Sequence, residues 1–420
     1  MKKLISRLML ATAIASPFSV LGGAASAVEI EYWQYFFAER VDAMDQLIAK
    51  FEEANPDITV KHTTFPYAQY QAKVAAAVPA GQGPDVVQLY YGWLRDYMQA
   101  GLLSPLPADR FDPAVIDAEY FPIVQAMKVD GAYYGLPTAV RTMAMFYNKA
   151  LFAAAGLDPE NPPKTYDEVV AAAKAVVERD AGGNLLVAGI TAAPVSQDAH
   201  WWREVLMRQF GGQSYSEDYR TVTYNTPEGV DAARAYTSLF MDAKVTDYAF
   251  MDESQASFVA GKAGILMDGS FRIGAVSGVE GLDWGVAPLP THNGITSNYS
   301  SYWLNGISSK TSGEELEASI KFMEFITSEE SMQLWLEVVG ELPARSSVAL
   351  TDENRNDPVY GPFIAGLEVA HATDFVNEAA QRQIWLDMID MVNVGGMSVE
   401  DAVAEAAATE QRLIDDYYAK

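Results

Sequence analysis

The chain has 420 residues, no cysteine, and 56 acidic against 29 basic side chains, a formal net charge of −27. That length requires more than one core, and the acidic excess speaks against nucleic acid or an anionic membrane as partner, since both would repel it. The missing cysteines exclude disulfides, thiolate metal sites and a cysteine nucleophile.

In chain order, Lys2, Lys3 and Arg7 open a basic stretch, residues 8–21 are mostly apolar, and Ala25-Ser26-Ala27 is a small-x-small cleavage site. Residues 1–27 therefore read as a secretory signal peptide. With no cysteine to carry a lipid, the exported chain is expected free in a periplasm, and no later run is long enough to span a membrane. A strand follows at 29–33. A helix then has Val41, Met44, Leu47, Ile48 and Phe51 on one face. Asn55-Pro56-Asp57 breaks it, and further strands are expected at 58–60 and 85–89, with helices at 67–78 and 93–100. This alternation predicts an α/β lobe with a parallel, doubly wound sheet.

From Gly135-Leu136-Pro137 the pattern changes, and residues 138–147 read as one strand crossing between lobes. Helices are expected at 167–179, 198–210, 228–244, 315–326 and 329–339, strands at 264–267 and 284–289, and a break at 290–294. Ser398 to Asp401 resembles a capping box opening the last helix.

Catalytic patterns are missing. There is no G-x-S-x-G, and Gly261-Lys262-Ala263 lacks the flanking residues of a phosphate loop. No carboxylate pair is set apart as a glycosidase acid and base. His62, His200, His292 and His371 show no metal-ligand spacing. No cofactor or metal is expected.

Several linked segments are similar to the family 1 extracellular solute-binding proteins of ABC importers, the maltose-binding-protein-like carbohydrate binders. They are residues 51–58 (FEEANPDI), 83–87 (GPDVV) with 100–103 (AGLL), 134–137 (YGLP) with 146–149 (FYNK), 258–263 (FVAGKA) with 268–271 (DGSF), and 285–290 (GVAPLP). The resemblance covers essentially the whole exported chain. It implies two α/β lobes of the type II periplasmic binding fold, joined by three crossings, with ligand in the cleft between them. On this reading the N-lobe is 28–137 with 290–340, and the C-lobe 138–289 with 341–420. The protein would capture a carbohydrate by hinge closure and deliver it to a membrane permease and its ATPase. It would act as a monomer, with no chemistry of its own. A secreted glycosidase or lyase is the reading from another class.

Sugars combine apolar C–H faces with hydroxyls, so their pockets pair aromatic plates with polar groups. The resemblance and the strand-end positions implicate Trp33, Gln34 and Tyr35 after the first strand, and Tyr91, Gly92 and Trp93 after the third. They also implicate Trp201 with Trp202, then Asp268, Ser270 and Phe271, then Tyr302 with Trp303, and finally Trp385. Arg141 stands where relatives often carry an acidic residue. With Arg272 and Arg345 it raises the alternative of an anionic derivative: a uronic acid, sugar phosphate, sulfosugar or glycerol-phosphate-like ligand. The competing expectation is that Arg141 pairs with a cleft carboxylate such as Asp268.

Overall fold

The computed structural model describes residues 27–192, 198–248, 250–251 and 254–419. The expected signal peptide, except Ala27, lies outside the described residues. No helix among the described residues is long and apolar enough to cross a membrane.

Two sheets organise the molecule. The first has six strands in the order Leu342–Pro343, Leu136–Arg141, Ser301–Ile307, Val86–Tyr90, Val28–Tyr35, Ile58–Phe65. Val28–Tyr35 pairs in parallel with both Ile58–Phe65 and Val86–Tyr90, as the strand–helix alternation predicts. Ser301–Ile307 runs antiparallel to both its neighbours. The sheet is therefore mixed, because a strand returning from the other lobe enters it from the opposite end. The second sheet has five strands in the order Trp284–Ala287, Met143–Asn148, Ala263–Gly269, Leu185–Thr191, Glu178–Arg179.

The segment expected as one crossing strand is two strands in different sheets. Leu136–Arg141 belongs to the first and Met143–Asn148 to the second, so the first passage falls at Thr142 rather than between 137 and 138. Thr142 leaves both ladders. Its hydroxyl donates to the Phe363 carbonyl at 2.7 Å, and its own carbonyl accepts from Ser270 N–H at 3.1 Å. The return also comes later than residue 290. Gln209 Nε2 donates to the Pro290 carbonyl at 2.7 Å, Thr291 bridges to Thr165, and the first sheet resumes only at Ser301. Leu342 and Pro343 still pair with Val140 and Ala139, so the chain leaves that sheet after 343, not 340. A short parallel pair, Asn298–Tyr299 with Ala370–His371, sits among these passages. The Asn298 amide ties in the first passage, accepting from Met143 N–H at 2.9 Å and donating to Met143 O at 2.7 Å.

Helix Ala38–Ala54 buries Met44, Leu47, Ile48 and Phe51 of the expected apolar stripe, with Val41 half-buried and Arg40 buried beside it. The helix expected over 167–179 stops at Val176. Val177 turns extended, and Glu178–Arg179 becomes an edge strand against Leu185–Thr191.

The second lobe has a polar core. Arg203, fully buried, lies 3.1 Å from Glu204 and 3.2 Å from Glu410, and donates to the Tyr215 hydroxyl at 2.6 Å. Its guanidinium also faces the Tyr215, Tyr224 and Trp385 rings. Glu410, in the last helix, further accepts from Tyr215 and, at 2.9 Å, from Tyr224. His200 and His371 lie at this core's edge, with His371 Nε2 3.5 Å from Glu204. Burial, with the Arg203 charge, holds His200 well below its ordinary 6.5; burial also lowers His371, against the pull of Glu204.

Both histidines thus resist protonation more when folded than when unfolded. Their contribution is complete above the unfolded value of 6.5 and is lost as pH falls below it. Urea unfolding from about pH 7.5 down to about 5.5 should show stability declining, by up to about 1.4 kcal/mol per pH unit per histidine. His200→Gln should flatten the decline, and a pH-independent midpoint would contradict the assignment.

Candidate functional site: a closed junction between the lobes

The first lobe contributes an aromatic box. Tyr35 and Trp303 lie 4.1 Å apart between ring centroids, Trp93 meets Trp303 edge-to-face at 5.5 Å, and Tyr67 and Tyr90 complete the group. Strand ends place Tyr35 and Tyr90, and the short turn Tyr91–Trp93 that follows places Trp93. Trp303 faces Tyr90 across the antiparallel register. Gly92 is needed for close approach: a Cβ there would lie 2.8 Å from the Tyr90 ring and 3.2 Å from Glu378 Cγ.

The second lobe contributes Trp201 and Phe271, packed edge-to-face at 5.9 Å. Phe271 turns back over Gly269, where any Cβ would strike its ring at 2.4 Å. Between the two lobes stands Arg141, only 6% exposed. Its guanidinium lies 4.9 Å from the Phe271 centroid and 6.0 Å from that of Trp201. Its Nε donates to the Ser301 carbonyl at 3.4 Å and lies 3.7 Å from Glu341. Arg141 thus meets a junction carboxylate, as one expectation had it, but that carboxylate is Glu341 and not Asp268, which Arg272 takes at 2.7 Å. Burial pushes Glu341 up, but the Arg40 and Arg141 charges outweigh it and hold the carboxyl below its usual range.

Side chains of both lobes meet over this cluster. Glu378 opens the helix Glu378–Asn393 and reaches Gly92, while Arg382 donates to it at 2.7 Å. Burial raises the Glu378 carboxyl despite that arginine. Arg95 grips Asp374 with two hydrogen bonds, and Tyr91 meets Tyr299 hydroxyl to hydroxyl. Several buried polar atoms here have no well-formed hydrogen bond among the described residues: Arg141 Nη2, the Ser270 and Ser300 hydroxyls, and Trp201 Nε1 with the Tyr90 hydroxyl, which face each other in poor geometry.

The structure thus brings together Tyr35, Gly92, Trp93, Arg141, Trp201, Asp268, Ser270, Phe271, Arg272 and Trp303. Tyr91 borders the cluster through Tyr90 and Tyr299, and the other expected residues lie elsewhere. Trp33 packs on Phe65 and the Gly83 turn, and Gln34 shares the strand face of Ile30 and Tyr32, its buried amide without a partner among the described residues. Tyr91 and Tyr302 stack on each other at 4.8 Å, with the Tyr302 hydroxyl committed to the Ile123 carbonyl. Trp202 points into the second lobe's core against Tyr236, and Trp385 into the Arg203 cluster. Arg345 lies on the flank of the first lobe with Glu119 and Tyr120. Sequence reasoning missed Arg40, Tyr67, Glu341 and Glu378. Of these only Arg40 carried a signal, a charge beside the apolar stripe of its helix.

More open recesses exist but lack such chemistry. One of about 410 Å³, between Phe152 and Ala172, has no aromatic pair and lies on the second lobe alone. No group of acidic and histidine side chains among the described residues is arranged to hold a metal.

Residues 46–361 match the family model described as bacterial extracellular solute-binding protein, and the chain belongs to that family. Among curated relatives, it is 27% identical to a maltotriose-binding protein of Pyrococcus abyssi over 85% of this chain and 75% of that protein. It is 25% identical to an sn-glycerol-3-phosphate-binding periplasmic protein of Agrobacterium fabrum, over 86% of this chain and 83% of that one. Its fold is that of the cyclic α-maltosyl-1,6-maltose binding protein of Arthrobacter globiformis (TM-score 0.80, 23% identity, 93% and 100% of the two chains). It is also that of a Thermotoga lettingae ABC transporter solute-binding protein bound with α-D-tagatose (TM-score 0.79, 22% identity, 92% and 100%). The molecule is a two-lobed solute-binding protein.

Proposed function

We propose that the protein captures a saccharide in the junction between its lobes and delivers it to an ABC permease, whose ATPase supplies the energy. The observation that carries this reading is the coincidence, in one closed junction, of aromatic plates with buried polar atoms that lack well-formed hydrogen bonds among the described residues. Each such atom costs about 1–3 kcal/mol when left unmet. A ligand dense in hydroxyls offsets that cost while its C–H faces stack on Trp201, Phe271, Tyr67 and Trp303. The maltotriose-binding relative supports the same class of ligand.

On this reading the lobes hinge about Thr142, the passage before Ser301 and the segment after Pro343, and ligand favours closure because it touches both lobes. The chain is exported by its leader, works outside the cytoplasmic membrane as a monomer, and releases its ligand unchanged. A thermal-shift screen over mono- and oligosaccharides tests the reading. A true ligand at about a hundredfold its Kd should stabilise the fold by about 2.7 kcal/mol. A panel without any shift would count against the reading, and cleavage of a sugar would replace it with an enzyme.

A further inference from the structure

We propose that the captured saccharide carries an oxyanion (carboxylate, phosphate or sulfonate) and that Arg141 receives it. The inference rests on the saccharide reading of the junction. Four carboxylates line that junction, and each is held by an arginine; Arg95 grips Asp374. Asp268 takes Arg272 Nε at 2.7 Å, Glu378 takes Arg382 at 2.7 Å, and Glu341 takes Arg40 through two bonds, one of 3.2 Å from Nε. Arg141 is a fifth guanidinium and has no carboxylate to itself, since it shares Glu341 with Arg40. Glu341 is the nearest, at 3.7 Å, but that carboxylate already accepts from Arg40 twice and from Trp335 Nε1 at 3.0 Å.

The geometry of Arg141 shows which side is free. Its Nε is spent on the Ser301 carbonyl, while the outer edge, Nη1 with Nη2, makes no hydrogen bond among the described residues, and Nη2 is fully buried. Phe271 and Trp201 lie against the guanidinium and hold it in place. A flat, fixed edge with two N–H groups side by side matches two oxygens of one anionic group. Sugar hydroxyls also accept from such an edge, but they do not offset a buried positive charge. Nor is a surplus cation an accident of composition in a chain with 56 acidic and 29 basic side chains.

The test is calorimetric titration of the full exported chain with neutral saccharides and, for each, its uronate, phosphate and sulfonate counterpart. One anionic series should bind about tenfold or more tighter than its neutral parent, with the advantage shrinking as salt rises. The three arms decide among carboxylate, phosphate and sulfonate. Arg141→Gln should erase the preference, while Arg141→Lys, which keeps the charge but loses the flat edge, should retain part of it. If Arg141→Gln fails to fold, the wild-type comparison and the lysine variant still decide. A neutral sugar bound as tightly as its anionic forms, or a preference that survives Arg141→Gln, overturns the inference and leaves the saccharide reading standing. Failure of every saccharide, neutral and anionic, overturns both.

Discussion

Trp201→Ala is expected to weaken saccharide binding by roughly thirtyfold or more, a loss of at least about 2 kcal/mol. Trp201 packs edge-to-face on the second lobe's Phe271 and lies 6.0 Å from the guanidinium of the first lobe's Arg141. Its indole N–H is buried with only the Tyr90 hydroxyl near it among the described residues, so the ring offers a ligand a stacking face and a donor that Tyr90 satisfies poorly. Removing it takes away both and loosens the Arg141 edge. The alanine variant also loses packing, so its unfolding must be followed alongside its affinity. Trp201→Phe separates the two roles: it should recover most of the stability and the stacking but not the hydrogen bond. Titration calorimetry on both variants measures the effect, and an alanine variant with wild-type affinity would remove Trp201 from the site.

Arg203→Leu is expected to have the largest effect on stability, lowering the unfolding free energy by about 3–5 kcal/mol. The reason is the company Arg203 keeps. It is the shared cation of Glu204 and Glu410, both fully buried, and three aromatic rings wall it in. Without it, two carboxylates face each other's surroundings with no counter-charge, and Tyr215 loses its donor. Urea unfolding would show the drop as a lower midpoint. Adding Glu410→Gln to the leucine variant should return part of the loss, because one stranded charge is then gone. A midpoint within experimental scatter of wild type would mean that the second lobe does not depend on this core.

Much of the fold was legible because it is periodic. The stripe of Met44, Leu47, Ile48 and Phe51, and the strand that precedes it, reported their own structure. The two-sheet passage at Thr142 was not legible, since residues 136–148 are mostly apolar and buried throughout in both sheets, which leaves no alternation of buried and exposed positions to mark the change.

The site was legible as a set of places and less so as a set of directions. Trp201 and Trp202 are neighbours on one helix and therefore face about 100° apart, one toward the junction and one into the core. Tyr302 and Trp303 alternate across a strand in the same way, so only the tryptophan joins the aromatic box. Trp385 looked like a plate but serves Arg203. Glu378 and Glu341 were invisible because their importance comes from what the opposite lobe or a distant helix presents to them. No local pattern records that.

Calorimetric titration of the wild-type exported chain with the saccharide that gives the greatest thermal shift tests the central claim most directly. The account predicts saturable binding of one saccharide per chain, with the sugar recovered chemically unchanged. Absence of saturable binding across the saccharide panel, or recovery of a cleaved product, would contradict it.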